Sequence, residues 1–582
     1  MTIKHLAMSS LIAALDNMTP KQTGENGHAE HAWSNNLQEC ILQFNFQCVR
    51  VSKYTNETLS DGNHPLRLLS RTLNELLSVL RYHENKADSR FYLSVLYKMI
   101  GQTRDMVDGK GECALSYMMI RTWYDFYPQL AKFALQCFVN LGDARTHPFG
   151  SWKDIKYFCS FCRNWDGADS DVFKVWLSFC VLLINDQLAR DETAERPSLL
   201  AKWVPREKSA FGWMYEPLAT QCYPSIMATA STPEQHAKAV LKCKTMYRKR
   251  LASINQRLDT LQIKQCGKQW SAIDFEKVTS VSLTKQRKAL LNLKRNGDVR
   301  SEEEDRVTCA MKFTEHIQRA VRGEVEMKGK RVSMADFTKS AIRATNTDEI
   351  QLIDTQWNSN ASQTGNLGNL IAMVDTSGSM DGDPINVAVA LGIRIAEKSA
   401  LGNRVLTFES SPKWVNLDPY PTFVDKVKHL VREDWGGSTN FYAALSMILD
   451  AIVEAKLAPE VVQDMALVIL SDMQIDQGDG SDRKALYDVI QEKYAEAGMR
   501  VHGVPYKAPH LVFWNLRGTS GFPALSSDTN TSMMSGFSPA LLNHFCDKGV
   551  KALESCSPWQ SLLQLLDNER YQCLSERLMR EV

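Results

Sequence analysis

The stretch that decides the fold is Asn369-Leu370-Ile371-Ala372-Met373-Val374-Asp375-Thr376-Ser377-Gly378-Ser379-Met380. Its first half is an uninterrupted apolar run, which predicts a buried strand over residues 369–375. Its second half, Asp375-x-Ser377-x-Ser379, follows that strand directly and precedes a predicted helix from Pro384 to about Ala400. Carboxylate and hydroxyl oxygens are ligands for Mg²⁺ in proteins. The stretch therefore predicts a strand that ends in a divalent-metal loop, with a solvated strand-to-helix turn as the alternative for this motif taken alone.

Two later segments end in the same chemistry. Asp434-Trp435-Gly436-Gly437-Ser438-Thr439-Asn440 leads into an apolar-periodic helix over 441–456, and residues 465–472 form a second apolar run that ends in Asp472. Open α/β sheets bind ligands at the carboxyl ends of their strands. We therefore expect Asp375, Thr439 and Asp472 to meet at one edge of a parallel sheet.

Strands and helices alternate from residue 369 to residue 582, which predicts an α/β doubly wound domain. The remaining predicted strands are 404–408, 500–506 and 511–517, and the remaining predicted helices are 421–433, 482–497 and those after Pro539.

The residues before this domain have a different pattern. Residues 36–345 read as successive amphipathic helices, such as Pro65 to Tyr82, with leucines at helical spacing. They predict an all-α, irregular helical-repeat module. Residues 1–35 are polar and predict an N-terminal arm, while residues 346–368, rich in Asn, Thr, Ser and Gln, predict a linker with room for one edge strand.

Composition restricts the class of protein. The chain has 582 residues, 44% of them hydrophobic, and a net charge of +1. This length predicts two or more domains. Uncharged apolar runs of about 18 residues, the length of a membrane span, are absent from the sequence. The 14 scattered cysteines suit free thiols in a reducing compartment. We expect a soluble protein of the cytoplasm, with the nucleus as the alternative, and no membrane partner.

Residues 238–300 depart from this neutral balance, with 16 Lys or Arg and four acids. Clustered cations near Tyr247 and Trp270 suit phosphate contacts and base stacking. The alternative is a solvated helical face that is balanced by the acidic run from Glu302 to Asp305. The predicted RNA-binding residues are Lys242, Lys244, Arg248, Lys249, Arg250, Arg257, Lys285, Arg287 and Lys288.

The three strand and loop ends together resemble the metal-ion-dependent adhesion site of von Willebrand factor A domains. The resemblance implies that Ser377, Ser379 and Thr439 bind Mg²⁺ (or Mn²⁺) through their hydroxyls. It also implies that Asp375 and Asp472 act directly or through water, and that an acidic group of a partner protein fills the sixth position.

Further motifs extend the resemblance over most of the chain. The Arg-Asp…Gly-Lys-Gly-Glu turn of residues 104–112, with Tyr127-Pro128 and residues 150–154, resembles the helical module of the Ro autoantigen (TROVE) superfamily, which implies a HEAT-like ring or horseshoe. The chain also resembles the domain-of-unknown-function 2828 family. The motifs that carry this second resemblance are Glu25-Asn26-Gly27, Lys202-Trp203-Val204-Pro205-Arg206-Glu207, Asp375 to Met380, Trp435 to Phe441, Leu470 to Met473, Phe513-Trp514-Asn515-Leu516-Arg517 and Ser535 to Pro539.

From these resemblances we expect a non-enzymatic RNA-binding scaffold of the Ro type, whose Mg²⁺ site docks an acidic protein partner. The alternative is a Mg²⁺-dependent protein–protein adaptor without nucleic acid. Catalysis is not expected, because Asp476, Asp479 and Asp482 are the acids nearest to the metal motif and fit turn positions better than the role of general base.

Overall fold

A computed structural model describes residues 20–51, 59–82, 86–142, 146–432, 439–476, 484–546 and 555–582. The chain divides into two compact units. Residues up to 51, 69–115 and 320–582 form the first, here called the sheet unit, and residues 52–68 and 116–319 form the second, here called the helical unit. A helical N-terminal region followed by an α/β region is thus confirmed. The predicted boundaries (1–35, 36–345, 346–368 and 369–582) differ from this division.

The described helices before the main sheet are α1 (Leu37–Gln47), α2 (Pro65–Tyr82), α3 (Ala87–Arg104), α4 (Cys113–Tyr124), α5 (Pro128–Cys137), α6 (Lys153–Asp166), α7 (Asp171–Thr193), α8 (Leu200–Trp203), α9 (Tyr215–Cys222), α10 (Pro224–Ala228), α11 (Pro233–Leu258), α12 (Leu261–Cys266), α13 (Ser280–Leu290), α14 (Glu304–Val321), α15 (Met334–Arg343) and α16 (Thr347–Ala361). Those that follow are α17 (Asp383–Lys398), α18 (Phe423–Arg432), α19 (Phe441–Glu454), α20 (Pro459–Gln463), α21 (Leu486–His502), α22 (Asn543–Cys546), α23 (Pro558–Leu566) and α24 (Glu569–Glu581).

The strands form two sheets. An antiparallel hairpin pairs β1 (Lys21–Thr23) with β2 (Ala29–His31). The main sheet contains β3 (Leu370–Asp375), β4 (Arg404–Phe408), β5 (Lys413–Asn416), β6 (Ala466–Ser471), β7 (His510–Asn515) and β8 (Thr531–Ser535). Its order is β5-β4-β3-β6-β7-β8, and all neighbours are parallel except β4 and β5. β3, β6, β7 and β8 are buried along their whole length, as parallel strands with covered faces require.

Helices α15 to α18 share one core with the face of the sheet that carries Ala372 and Val374. α17 lies very close to β3: a Cβ added at Gly392 would be 2.6 Å from Cγ2 of Val374. This helix follows the predicted metal loop and begins with Asp383-Pro384, so it fixes the far end of that loop.

The predicted elements of the C-terminal region agree with the structure at most positions. The strand predicted over 500–506 is wrong, because α21 continues to His502 and ends at Gly503, whose φ of +71° suits a helix C-terminus. The next strand is β7, close to the predicted 511–517. Strands β5 and β8 are absent from the prediction.

The segment predicted as a linker, 346–368, contains the helix α16 instead. Asn346 caps it, because its side chain accepts hydrogen bonds from the backbone N–H groups of Asp348 and Glu349. Leu352, Ile353 and Trp357 are buried. The polar residues that suggested a linker therefore include the cap and the mostly half-buried polar face of an amphipathic helix.

The residues predicted as an N-terminal arm, in the part from Pro20 onward, form the β1–β2 hairpin of the sheet unit. The backbone of His31 exchanges hydrogen bonds with Phe522, and Trp33 packs edge-to-face on the Phe522 ring. Residues 1–19 lie outside the described residues.

The turn after α3 is tied to the sheet by a buried lysine. The ammonium of Lys110 donates to the carbonyl oxygens of Asn45 (3.0 Å) and Cys48 (3.2 Å) and to Oγ of Ser535 (2.6 Å). Burial lowers the pKa of Lys110 to about 8. In the same turn, Asp105 is fully buried and accepts two hydrogen bonds, of 2.6 and 2.8 Å, from the guanidinium of Arg570. The Gly-Lys-Gly turn thus fastens α3 inside the sheet unit.

One described helix, α7, has the length and mean hydropathy of a membrane span. It packs against α6 and α9 within the helical unit, and Trp176, Cys180 and Leu188 are buried. A core helix of this kind meets the same length and hydropathy criteria, so these properties alone are weak support for a membrane span. The 14 cysteines, all within the described residues, form no disulfide bonds.

Candidate functional site

The sheet brings the two predicted aspartates to one edge. β3 and β6 are parallel neighbours, and Val374 pairs with Leu470 in their register. Asp375 ends β3, while Asp472 follows the last residue of β6, Ser471. Both carboxyl groups are fully buried. Two acidic side chains thus share a buried position at the carboxyl edge of the sheet.

The Asp375 carboxylate accepts hydrogen bonds at both oxygens. Oδ1 accepts the backbone N–H of Ser377 at 2.9 Å, and Oδ2 accepts the hydroxyl of Ser471 at 2.5 Å. Burial, reinforced by the negative charge of Asp472, raises the pKa of Asp375 to about 7 against the lowering effect of these hydrogen bonds. Ser471 is therefore a site residue that our assignment of metal ligands did not include, although it stands next to Asp472 in the sequence.

The two oxygens of the Asp472 carboxylate differ. Its Oδ1 accepts the backbone N–H of Gln474 at 3.2 Å, whereas its buried Oδ2 has no hydrogen-bond partner among the residues that the structure describes. Burial raises the pKa of Asp472, and the Ser379 hydroxyl and the charge of Arg517 partly oppose this rise. A buried carboxylate oxygen without a donor is costly unless a cation or a proton joins it.

The two serines of the motif face each other across the loop. Oγ of Ser377 and Oγ of Ser379 are 3.1 Å apart, on either side of the first residue of the short 3-10 turn Gly378–Met380. Met380 is fully buried and anchors this turn. The loop thus presents two adjacent hydroxyl oxygens next to the aspartates.

Thr439 reaches the same edge through its backbone. Its carbonyl oxygen accepts the N–H of Asp476 at 3.2 Å, in the loop that follows Asp472, and its neighbour Asn440 donates its N–H to the carbonyl oxygen of Glu409 at 3.2 Å, just after β4. Thr439 itself is buried. The preceding loop residues 434–438, like Asp479 and Asp482, lie outside the described residues.

Two further features border the site. The turn of the β1–β2 hairpin lies against the loop after β6, where Nδ2 of Asn26 donates to the carbonyl oxygen of Gln474 at 3.0 Å. On the neighbouring strand β7, the exposed Arg517 follows the strand end and donates from its guanidinium to the carbonyl oxygen of Ser379. Neither contact was predicted, because both join residues that are more than 100 positions apart.

The donor set suits a hard divalent cation. It contains two carboxylates and neutral hydroxyls, all oxygen, and one carboxylate oxygen has no other partner in the ranges given for the described chain. Clusters of three or more His, Cys, Asp or Glu side chains arranged to hold a metal are absent from the described residues. A cation here would consequently depend on serine and threonine hydroxyls and on water as well as on the two aspartates.

The predicted RNA-binding residues divide into three groups in the helical unit. Lys244, Arg248 and Arg250 form ion pairs with Glu216, Glu207 and Glu192. Arg257, Arg287 and Lys288 donate to backbone carbonyl oxygens. Lys242, Lys249 and Lys285 are exposed, and none of them forms an ion pair with a described residue.

The aromatic residues proposed to stack on bases are engaged within the protein. Tyr247 is fully buried and its hydroxyl donates to Oδ1 of Asn185 at 3.1 Å. The Arg306 guanidinium covers the Trp270 ring at 3.6 Å. The prediction that Tyr247 contacts bases is therefore wrong, because its ring belongs to the core of the helical unit.

The C-terminal part of the chain is similar to a known protein family, and most of the chain is similar to a viral protein. A family model described as Domain of unknown function (DUF7788) matches residues 369–570, which include all five predicted metal ligands. The description differs from the domain-of-unknown-function 2828 family that the motifs indicated. Uncharacterized protein L728 of Acanthamoeba polyphaga mimivirus is 29% identical to the chain over 503 residues, which cover 82% of this chain and 80% of that protein.

Proposed function

We propose that residues 369–582 of the sheet unit form a von Willebrand factor A-like domain with a metal-ion-dependent adhesion site, and that the chain is a non-enzymatic adaptor. Asp375, Ser377, Ser379, Thr439 and Asp472 would hold Mg²⁺ or Mn²⁺, and the cation would bind an acidic group of a partner protein. The observation that carries this proposal is the fully buried Oδ2 of Asp472, which lies beside a second buried carboxylate and lacks a hydrogen-bond partner in the described part of the chain.

The ligand types explain why the partner group would be acidic. Three of the five proposed ligands are neutral hydroxyls, so the cation keeps part of its positive charge and attracts an anion. Both buried carboxylates serve as ligands in this arrangement, which leaves neither of them as a general base. An adaptor therefore fits the site better than a hydrolase.

Binding of capped peptides that contain a single aspartate tests the docking function. The full chain should bind them in Mg²⁺, fail to bind them in EDTA, and fail to bind matched peptides in which asparagine replaces aspartate. Asp375→Ala should abolish binding. Asp464→Ala, at the opposite end of β6, is the matched control and should bind normally. Binding that persists in EDTA or in Asp375→Ala would contradict the proposal.

The second candidate function is RNA binding by the helical unit, for which we also propose a HEAT-like, TROVE-like fold. The favouring observation is that Lys242 and Lys249 are exposed without an ion pair to a described residue and lie two turns apart on one face of α11. Such a pair can contact successive phosphates.

Filter binding of a single-stranded RNA at several salt concentrations tests this second function. Replacing both Lys242 and Lys249 by glutamine should reduce the slope of log affinity against log salt by about 1.4, at about 0.7 for each phosphate contact. Lys244→Gln is the matched control, because Glu216 already pairs with Lys244. Equal slopes for all variants, or no RNA affinity, would exclude RNA binding through this face.

A further inference from the structure

Arg517 is held firmly beside the proposed metal site. Its backbone N–H donates to Oδ1 of Asn515 at 3.0 Å, and Asn515 is itself buried and donates to the carbonyl oxygen of Phe46 at 3.0 Å. Its guanidinium donates to the carbonyl oxygen of Ser379. The side chain is exposed, yet it is attached at both ends.

Arg517 forms no ion pair with the residues that the structure describes. None of the described carboxylates lies within ion-pair distance of it, although the charge is close enough to influence Asp472. A fixed cation next to a divalent-metal site weakens metal binding by repulsion. Binding of an anionic group of another molecule would explain why an arginine stands here. A guanidinium has five N–H donors, and the contact with Ser379 uses one of them.

We propose that Arg517 is a specificity-determining residue of the docking site, and that the partner segment carries two acidic groups. One group would bind the metal, and the other would bind the Arg517 guanidinium. This inference rests on the proposed docking function and adds to it the chemistry of the partner, an acidic segment with two nearby carboxylates.

A purely structural role of Arg517 makes a different prediction. If the residue only holds the Ser379 loop in place, then Arg517→Gln should weaken metal binding. If it binds the partner, then Arg517→Gln should bind metal at least as tightly as wild type, because a neighbouring positive charge is removed. The two roles therefore change metal affinity in opposite directions.

The experiment uses the full chain loaded with Mn²⁺ and two capped five-residue peptides. One peptide contains a single aspartate, and the other contains two aspartates separated by glycine. The relaxation rate of water protons around bound Mn²⁺ reports metal binding and the arrival of a carboxylate at the metal. We expect wild type to bind the two-aspartate peptide about tenfold more tightly than the other, as one charge-assisted hydrogen bond allows.

Arg517→Gln should remove this preference, and Arg517→Lys, which keeps the charge without the planar donor pair, should retain part of it. Arg500→Gln replaces an exposed arginine on α21, near the opposite edge of the sheet, and should keep the full preference. A preference that survives in Arg517→Gln, or one that is absent from wild type, overturns the inference alone. Failure of wild type to bind Mn²⁺, or to bind either peptide in a Mn²⁺-dependent way, overturns the docking function and the inference with it.

Discussion

Asp472→Asn should make the metal-free protein more stable while abolishing its response to Mg²⁺. The substitution removes one of two negative charges that are buried next to each other, and it keeps Oδ1 as the acceptor for the backbone N–H of Gln474. Natural binding sites commonly hold such unfavourable groups, because function rather than stability selects them.

The structure sets the size of both effects. The charge of Asp472 adds to burial in raising the pKa of Asp375 from 3.8 to about 7, and each pKa unit corresponds to about 1.4 kcal/mol. We therefore expect the free energy of unfolding in EDTA to rise by about 2 kcal/mol in Asp472→Asn. A ligand present at 100 times its Kd stabilises a protein by about 2.7 kcal/mol. Wild type should gain that amount from Mg²⁺, and the variant should gain nothing.

Both free energies are measured by urea denaturation of the full chain in EDTA and in Mg²⁺, with tryptophan fluorescence reporting the unfolding of the sheet unit. Asp464→Asn is the matched control: it lies at the other end of β6, is partly exposed, and should change stability by less than about 0.5 kcal/mol. If Asp472→Asn destabilised the protein in EDTA, or gained as much stability from Mg²⁺ as wild type, our interpretation of Asp472 as a metal ligand would be refuted.

Three other predictions concern the framework around the site. Lys110→Met should lower the free energy of unfolding at pH 7 by about 3 kcal/mol, because the carbonyl oxygens and Ser535 lose their donor. Folding lowers the pKa of this lysine from 10.5 to about 8, so the unfolded chain binds more protons than the folded chain between these pH values. Urea denaturation should therefore show that wild type gains stability relative to the variant as pH rises through that range. Burial also lowers the pKa of His510 from 6.5 to about 4, so on acidification the imidazole binds a proton in the unfolded state before it does in the folded state. The free energy of unfolding, measured at a series of acidic pH values, should fall by up to about 3 kcal/mol between pH 6.5 and 4, and this fall should be absent from His510→Gln. Gly109→Ala would place a Cβ 2.1 Å from the carbonyl oxygen of Gln102, so a thermal melt should show a lower Tm than for wild type, and an unchanged Tm would contradict the tight turn. Gly111→Ala is strained only by its positive φ, so its Tm is the higher of the two if the clash at Gly109 outweighs that strain.

Four strands of the main sheet were predicted, β3, β4, β6 and β7, and three of them contain continuous apolar runs in the sequence. β3, β6 and β7 are parallel central strands, covered on both faces, and each has such a run. β8 has the sequence Thr531-Ser532-Met533-Met534-Ser535, in which hydroxyl groups interrupt the pattern. Ser532 and Ser535 are nevertheless buried, because Ser561 and Lys110 supply hydrogen bonds from distant parts of the chain. Partners of that kind cannot be read from local sequence.

The contacts of the proposed metal site and of the basic segment also depend on residues that are distant in the sequence. The five proposed metal ligands could be selected because strand ends of a parallel sheet converge, and the structure brings Asp375, Ser377, Ser379 and Asp472 into one hydrogen-bonded group. Arg517 could not be selected, since only the fold places it against Ser379. In the basic segment, Lys244, Arg248 and Arg250 form ion pairs with acidic residues that precede it. These partners, Glu216, Glu207 and Glu192, cannot be identified from residues 238–300 alone.

Binding of Mn²⁺ to the full chain tests the central claim most directly. Electron paramagnetic resonance counts free Mn²⁺ during a titration, and Mg²⁺ added afterwards shows whether the two ions share a site. We predict one Mn²⁺ per chain that Mg²⁺ displaces, with binding lost in Asp375→Asn and weakened in Thr439→Val, which keeps the shape of the side chain but removes its hydroxyl. Absence of Mn²⁺ binding, or binding that is equally tight in Asp375→Asn, would contradict the assignment of this sheet edge as a metal-dependent docking site.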